Sequence, residues 1–210
     1  VCPVLCCPQL GRNVKPKVFA CWHKDPKTRE RSSSGGVFSA LSENILEKGG
    51  VVFGAIYDET LNVKHAHIEQ VDQLDMLRRS KYVQSQIGDS FEKARSFLLS
   101  GRQVLFVGTP CQIAGFYTFL GRDYPNLMAV DFICHGVPSP KVFKEYKKDI
   151  EKRFDKKLKE INFRDKRRGW LNNSVVGVTS NEMQVVLKGN YNSFYNGFVA
   201  GNFLRDSCYQ

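Results

Sequence analysis

Apolar runs and apolar stripes alternate along the chain with changing period. Val18-Phe19-Ala20-Cys21-Trp22 reads as a strand, followed by a polar loop through Arg31. Val37, Leu41 and Ile45 fall at helical spacing, with Gly49 placed as the carboxyl cap. Val51 to Tyr57 forms a strand, and Val63 to Ile68 alternates as its antiparallel neighbour across a turn at 58–62. A short helix over 71–79 and the segment Lys81 to Ser85 follow. A second helix then puts Ile87, Phe91, Ala94 and Leu98 on one face and ends at Gly101. Val104 to Val107 and Leu127 to Ile133 are short, branched and aromatic, as fully buried parallel strands are. The helix between them carries Ile113, Phe116, Tyr117 and Leu120, which completes a β-α-β unit and demands a parallel pair. A helix over 141–159, a strand-like 161–164, strands at 175–178 and 183–187, and a helix over 191–204 complete the pattern. The fold class is α/β: a mixed sheet with a parallel β-α-β core flanked by helices. Residues 1–16 lack periodicity and read as a lead-in or the edge of another module, with one domain over 17–210.

Three short segments stand where an extended run or turn hands over to a helix-like stretch. They are Ser32-Ser33-Ser34-Gly35-Gly36, Gly108-Thr109-Pro110-Cys111-Gln112 and Cys134-His135-Gly136-Val137-Pro138. In an open α/β sheet the carboxyl ends of the strands face the ligand crevice, so Cys111 and Cys134 are expected to arrive at one place. A helix amino terminus holds unpaired N–H groups and a partial positive charge, which makes the Ser/Gly turn an anion cradle or, equally, an ordinary cap of a core helix. Thr109 can cap the next helix and Pro110 suits its first position, which puts Cys111 in the first turn. There the macrodipole favours a thiolate, fit for a nucleophile or a metal ligand, against the plain reading of an inert buried cysteine.

Composition narrows the classes. The chain has 210 residues, 42% hydrophobic and 25% charged, enough for one sizeable domain. No run approaches the roughly 18 apolar residues a membrane span requires, and no basic leader with an apolar segment stands at the amino terminus, so a cytoplasmic protein is expected. Seven cysteines form an odd, scattered set, which suits reduced thiols or metal ligands better than a secreted disulfide scaffold. The net charge of +10 admits nucleic acid, an anionic lipid surface or an acidic partner. Much of it lies in Lys141 to Lys159, where nine Lys or Arg accompany an inward stripe of Phe143, Tyr146, Ile150 and Phe154, the pattern of a solvated helix face. Those aromatic residues do not interleave with the charges as base-stacking residues would, which argues against nucleic acid.

Other chemistries were open at this level. Cys111 with His135 has the residue types of a Cys-His hydrolase, without an evident orienting carboxylate or oxyanion hole. Cys111, Cys134, His135 and Cys208 could bind zinc, although no C-x-x-C pair is present. His23, His65 and His67 read as surface or packing residues. A basic binding module for nucleic acid or an acidic partner is the alternative from another functional class.

Taken in order, Ser32 to Phe38, Gly49 to Gly54, Ser80 to Ser85, Gly108 to Gly115, Cys134 to Pro140 and Phe163-Arg164-Asp165-Lys166 resemble the coenzyme F420 hydrogenase/dehydrogenase beta-subunit family. The resemblance runs from about Cys2 to Cys208, and Gly-Thr-Pro-Cys-Gln and Cys-His-Gly-Val-Pro are its most specific blocks. It implies an FAD-containing iron–sulfur oxidoreductase that passes electrons between clusters, the flavin and a soluble acceptor or donor, a deazaflavin in the best-known members. The implied partners are a ferredoxin-like module or other electron-transfer protein and a small-molecule electron acceptor or donor, with no nucleic acid and no membrane span.

By that resemblance Ser33, Ser34, Gly35 and Gly36, with Lys81, Tyr82, Gln84, Ser85 and Thr109, are candidates for flavin contact. A cation at Lys81 would suit the flavin's N1 and O2 edge. Cys111, Cys134 and Cys208 are the implied ligands of a [4Fe–4S] cluster, which needs about four thiolates or substitutes. The family continues past Cys208 with a further cysteine, whereas this chain stops at Gln210. Cys2-Pro3 resembles the last cysteine and proline of a ferredoxin motif, so Cys2 is a candidate ligand and residues 1–16 read as the end of a truncated ferredoxin-like module. Both ends are expected to be cut, and 17–210 is read as a flavin-binding domain that is itself shortened.

Overall fold

A computed structural model describes residues 15–167, 169, 174–187 and 192–208. They fall into two compact units. The first gathers described residues 15–55, 65–78 and 87–134, and the second 56–64, 79–86 and 135–208.

The first unit is built around strands that water cannot reach. β1 (Val51–Tyr57), β2 (Val63–Ile68), β3 (Val104–Gly108) and β4 (Leu127–Asp131) form a mixed sheet in the order β2-β1-β3-β4. β1 and β3 run parallel with Val51↔Val104 and Phe53↔Phe106 in register, and β3 and β4 run parallel with Phe106↔Ala129. Val51, Val52, Phe53, Val104, Leu105 and Phe106 are fully buried, so both faces of these two strands need cover. α4 (Ser90–Leu99) and α5 (Pro110–Leu120) supply it on one face, packing Ala94, Leu98, Ile113, Phe116 and Leu120 against Phe53 and Phe106. The Phe106 and Phe116 rings stack at 4.3 Å. The β3–α5–β4 segment is the parallel β-α-β unit that the apolar pattern specifies.

Around this core lie α1 (Pro26–Arg31), α2 (Val37–Glu47) and the four-residue α3 (Leu74–Leu77). α2 buries Ser39, Ser42, Ile45 and Leu46. Between α2 and β1 the chain turns so tightly that a Cβ on Gly50 would sit 2.5 Å from Ile45 Cγ2 and 2.9 Å from Gln103 O, closer than real Cβ atoms come. Only glycine passes there.

The second unit is a three-stranded antiparallel sheet, β5 (Leu158–Asp165), β6 (Ser174–Thr179) and β7 (Gln184–Leu187), with α6 (Pro140–Phe154) and α7 (Ser193–Val199). Its core is aromatic. Phe143 and Tyr146 of α6 meet Phe194 of α7 at 5.5 and 5.1 Å, and Phe163 of β5 lies 5.6 Å from Phe194. Asn192 joins the helices, accepting from Tyr146 Oη at 3.0 Å and from the Tyr195 N–H at 3.2 Å. On α6 the buried stripe is Phe143, Tyr146 and Ile150, and pairs such as Lys148–Glu145 and Arg153–Asp149 occupy the exposed side.

Several element boundaries differ from the sequence expectation. Val18 to Trp22 is no strand: it pairs with nothing as a ladder, and Val18, Phe19 and Trp22 are exposed. The loop after it contains α1, started by Asp25, whose carboxylate accepts from the Lys27 and Thr28 N–H groups, and by Pro26 at the first position. β4 is an edge strand, only half-buried, and stops at Asp131, so Phe132 and Ile133 are exposed rather than core. The helix over 71–79 contracts to a 3-10 turn at Val71–Gln73 and α3, and α4 starts at Ser90, after Ile87. α6 ends at Phe154, where Asp155 takes a left-handed conformation (φ 49°), and residues 158–159 belong to β5. Of the helix placed over 191–204, the structure retains α7. Among the described residues no helix is long and apolar enough to cross a membrane.

Phe116→Ala should cost about 3–5 kcal/mol, the usual range for emptying a fully buried ring site. Urea unfolding monitored by circular dichroism would measure it, and Phe119→Ala, at a partly buried ring of the same helix, should cost less.

Candidate functional site

The Ser/Gly turn lies in the first unit and is held from behind by His23. The His23 N–H donates to Gly35 O at 2.7 Å, and the Asp25 N–H donates to His23 Nδ1 at 3.1 Å. That leaves Nε2 as the protonated nitrogen, 3.2 Å from a Glu43 oxygen on α2. Gly36 is the N-cap of α2 with φ +83°, and a Cβ on it would fall 2.9 Å from the His23 Cβ. The cap is therefore a glycine and not one of the serines, as the sequence pattern allowed. Ser32 turns away, its hydroxyl donating to Thr28 O at 2.7 Å, while Ser34 is exposed and Ser33 half-buried.

A buried arginine fixes the helices around that turn. Arg78 gives Nε to Ser39 Oγ (2.9 Å), Nη1 to Asp75 (2.6 Å) and Nη2 to Glu43 (3.1 Å). Asp75 also pairs with Arg31 at the end of α1. A buried guanidinium answered on three sides is stiff and costly to disturb, because removing one partner strands the others. Glu43 thereby links His23 to Arg78, and one network anchors α1, α2 and α3.

Thr109 and Cys111 occupy the start of α5 as the sequence places them, with Pro110 at the first helical position. The Thr109 N–H donates to Gln112 Oε1 at 3.0 Å, and Thr109 Oγ1 lies 3.1 Å from an exposed Cys111 Sγ. Cys134 is half-buried, three residues past the end of β4.

In the second unit, Val137 to Pro138 pairs with the chain approaching Cys208. The Arg205 N–H donates to Val137 O at 3.1 Å, and Pro138 bridges to Leu204. Gly136, at φ +122°, packs so closely that a Cβ would lie 2.8 Å from Leu204 Cδ1 and 3.2 Å from the Cys208 Cβ. Gly136 and the Cys208 turn thus pack as one piece. His135 is spent on structure: its Nε2 donates to Phe198 O at 3.0 Å and its ring meets Phe198 edge-on at 5.1 Å. His65 and His67 pack in the first unit. His65 stacks on Phe106 with Nε2 bonded to Val107 O, and burial holds the His67 imidazole below its ordinary pKa.

Lys81 to Ser85 also belongs to the second unit. Lys81 Nζ lies 5.6 Å from the centroid of the Tyr57 ring and donates to Arg79 O at 3.3 Å. Burial, and then the neighbouring Arg79 charge, pull the Lys81 ammonium down to about 7. Tyr57 Oη is sealed from solvent with no hydrogen-bond partner among the described residues, and burial raises its pKa far above that of free tyrosine. Tyr82 is an aromatic anchor, with Phe198, Phe163 and Tyr195 at 4.8, 5.4 and 5.8 Å. The Gln84 N–H approaches Pro138 O at 3.4 Å, and Ser85 is half-buried.

Two cofactor classes can be tested against these residues. A flavin suits them in kind: the first unit offers a glycine-walled turn at a helix start, and the second a desolvated ammonium beside a buried hydroxyl that lacks an acceptor. For an iron–sulfur cluster, no three Cys, His, Asp or Glu gather as ligands of one metal centre among the described residues. Cys111 and Cys134 lie in the first unit and Cys208 in the second. Cys2 lies outside the described residues.

This geometry brings forward three side chains that the sequence does not single out for function: His23, which reads there as surface or packing, and Arg78 and Tyr57, which carry no pattern of their own. The run Arg78-Arg79-Ser80-Lys81 beside a block already singled out was the available sign.

Comparison with known proteins gives two family-model matches, both to the coenzyme F420 hydrogenase/dehydrogenase beta subunit: its N-terminal model over residues 18–90 and its C-terminal model over 101–210. No curated protein sequence matches. Among solved structures, a chain of the xenon-derivatised F420-reducing [NiFe] hydrogenase complex from Methanosarcina barkeri shares 19% identity with a TM-score of 0.58. The match covers 89% of this chain and 62% of that one, a likeness of fold.

Gly136→Ala should destabilise the protein by about 1–3 kcal/mol, the usual cost of forcing a side chain into such a backbone conformation. The packed turn beyond Leu204 should loosen with it, so Cys208 should react faster with iodoacetamide, as peptide mass spectrometry would measure, while labelling of Cys111 stays at its original rate.

Proposed function

The chain belongs to the coenzyme F420 hydrogenase/dehydrogenase beta-subunit family, a family of oxidoreductases, and from that premise we propose that it binds FAD and serves electron transfer between a protein donor or acceptor and a small molecule such as coenzyme F420. The observation that carries the flavin reading is the Lys81–Tyr57 pair: a half-buried ammonium and a sealed hydroxyl, each costly to the fold and each suited to a polar, electron-rich ring system. Bound flavin supplies the exchange between one-electron and two-electron steps.

The chain's own residues take distinct parts in this reading. In the first unit Ser33, Ser34, Gly35 and Gly36 would offer hydroxyl and backbone donors to a phosphate at the start of α2, with His23 holding the backbone of the turn. In the second unit the Lys81 ammonium, lying over the Tyr57 ring, would offer a positive charge to the N1 and O2 edge of a flavin. Tyr82 offers a rigid aromatic surface beside Gln84 and Ser85, and Thr109 steadies the start of α5. A [4Fe–4S] cluster and a ferredoxin-like partner belong to the reading through the family alone.

Anaerobic reconstitution of the chain with FAD, followed by gel filtration and visible absorbance, tests the proposal. Folded protein that emerges colourless refutes it, and iron analysis after cluster reconstitution tests the metal half separately. Lys81 adds a pH signature. In the free protein its ammonium is half-titrated at about 7, and an electron-rich ligand raises that value. FAD affinity should therefore be greatest below pH 7 and fall as pH climbs from there toward the pKa of the bound state. Lys81→Met should weaken binding by about tenfold at pH 6, the equivalent of one pKa step, and flatten the profile in fluorescence titrations.

A further inference from the structure

The Phe163–Lys166 block has no part in the proposal above, and it sits on an irregularity of the sheet. β5 pairs with β6 as Asn162↔Val176 and then Asp165↔Ser174, so three steps along β5 answer two along β6 and one residue is extra. Such a bulge re-aims side chains, and bulges are common beside binding sites. Here Phe163 is buried against Tyr82, Phe143 and Phe194. Its neighbour Arg164 is half-buried, and the Arg164 Nε lies out of reach of solvent with no acceptor among the described residues. A buried guanidinium N–H left unanswered costs more than a hydrogen bond usually gains.

The surroundings are cationic. Lys166 is half-buried, and desolvation followed by the Arg164 charge lowers its pKa. Tyr82 meets Phe163 at 5.4 Å, which brings the 79–82 segment beside the bulge, and the Arg79 charge lowers the pKa of both Lys81 and Asp165. Asp165, the acid in this group, is engaged already: Arg167 Nε reaches it at 2.8 Å and Asn162 Nδ2 at 3.4 Å. The Arg164 charge also reaches Tyr195, whose ring lies 5.8 Å from Tyr82.

We propose that the β5 bulge is a binding site for a phosphate or carboxylate group, with Arg164 Nε as its principal donor and Arg79, Lys81 and Lys166 supplying the surrounding positive field. A guanidinium pairs with either anion through parallel N–H bonds, and the orphaned Nε is the half of that fork which no described residue occupies. The anion belongs to the small-molecule electron partner, an assignment that rests on the proposed function. The flavin is the other source of the same chemistry.

The test uses the full chain, wild type and Arg164→Gln, Arg164→Lys and Lys166→Gln, with inorganic pyrophosphate as the probe in isothermal titration calorimetry. Wild type should bind pyrophosphate, with an affinity that falls as salt rises. Arg164→Gln should weaken it about tenfold, Arg164→Lys should recover only part, and Lys166→Gln should have a smaller effect. Without anion, Arg164→Gln should melt at the wild-type temperature or above, since it removes an unanswered buried donor. FAD affinity and the KM for coenzyme F420 then separate the sources: a raised KM with unchanged FAD affinity supports the assignment, and weakened FAD binding moves the anion to the flavin and overturns it. Wild type that ignores pyrophosphate, or Arg164→Gln that binds it equally well, overturns the site itself. Absence of any flavin uptake refutes the proposed function and leaves the calorimetric result standing on its own.

Discussion

The first unit is governed by the burial of β1 and β3 on both faces. Six consecutive-register residues, Val51 to Phe53 and Val104 to Phe106, are sealed from water and run parallel, which requires helical crossovers and cover above and below. From that requirement follow the apolar stripe of α5, the position of Thr109 and Cys111 directly after β3, and the tight passage at Gly50. The placement of candidate chemistry at strand ends is thus a by-product of hydrocarbon burial.

The second unit solves a different packing problem. Beside buried aliphatic residues of its sheet such as Ile161, Val175, Val185 and Leu187, it packs a cluster of rings from α6, β5, α7 and the Tyr82 segment. Rings of that size leave room for polar tips only at the margins, and the tips found there are Tyr57, Tyr195, Lys81 and Arg164. The polar groups of the two units therefore differ: charges in a closed network around the Ser/Gly turn, and beside the bulge an Arg164 Nε with no acceptor among the described residues.

How much of this the sequence disclosed depends on the range of the interaction involved. The β3–α5–β4 unit was legible because Val104 to Val107 and the Ile113, Phe116, Leu120 stripe are local patterns with distinct periods. The start of α5 was legible for the same reason, since Thr109-Pro110 is a short-range signal. Val18 to Trp22 misled because five apolar residues in a row have strand composition, yet a strand exists only where another backbone accepts its hydrogen bonds. Ile133 misled in a related way: β4 ends where its pairing with β3 ends, at Gly108↔Asp131, whatever the hydropathy of the next residues. His23 and Arg78 were invisible because their partners lie 20 and 39 or 35 residues away, and no periodicity encodes such a bond. The bulge at Arg164 required knowing the register of two strands at once.

Tyr57 carries an oxygen for which folding has no use. Its ring is wanted, stacked 6.4 Å from Phe143, but the phenol reaches a dry place where no described atom answers it. Phenylalanine would keep the stacking and shed a desolvation penalty of about 1–3 kcal/mol. A chain tuned for durability alone would carry the simpler ring at this position, so the hydroxyl marks a local compromise between ruggedness and chemistry.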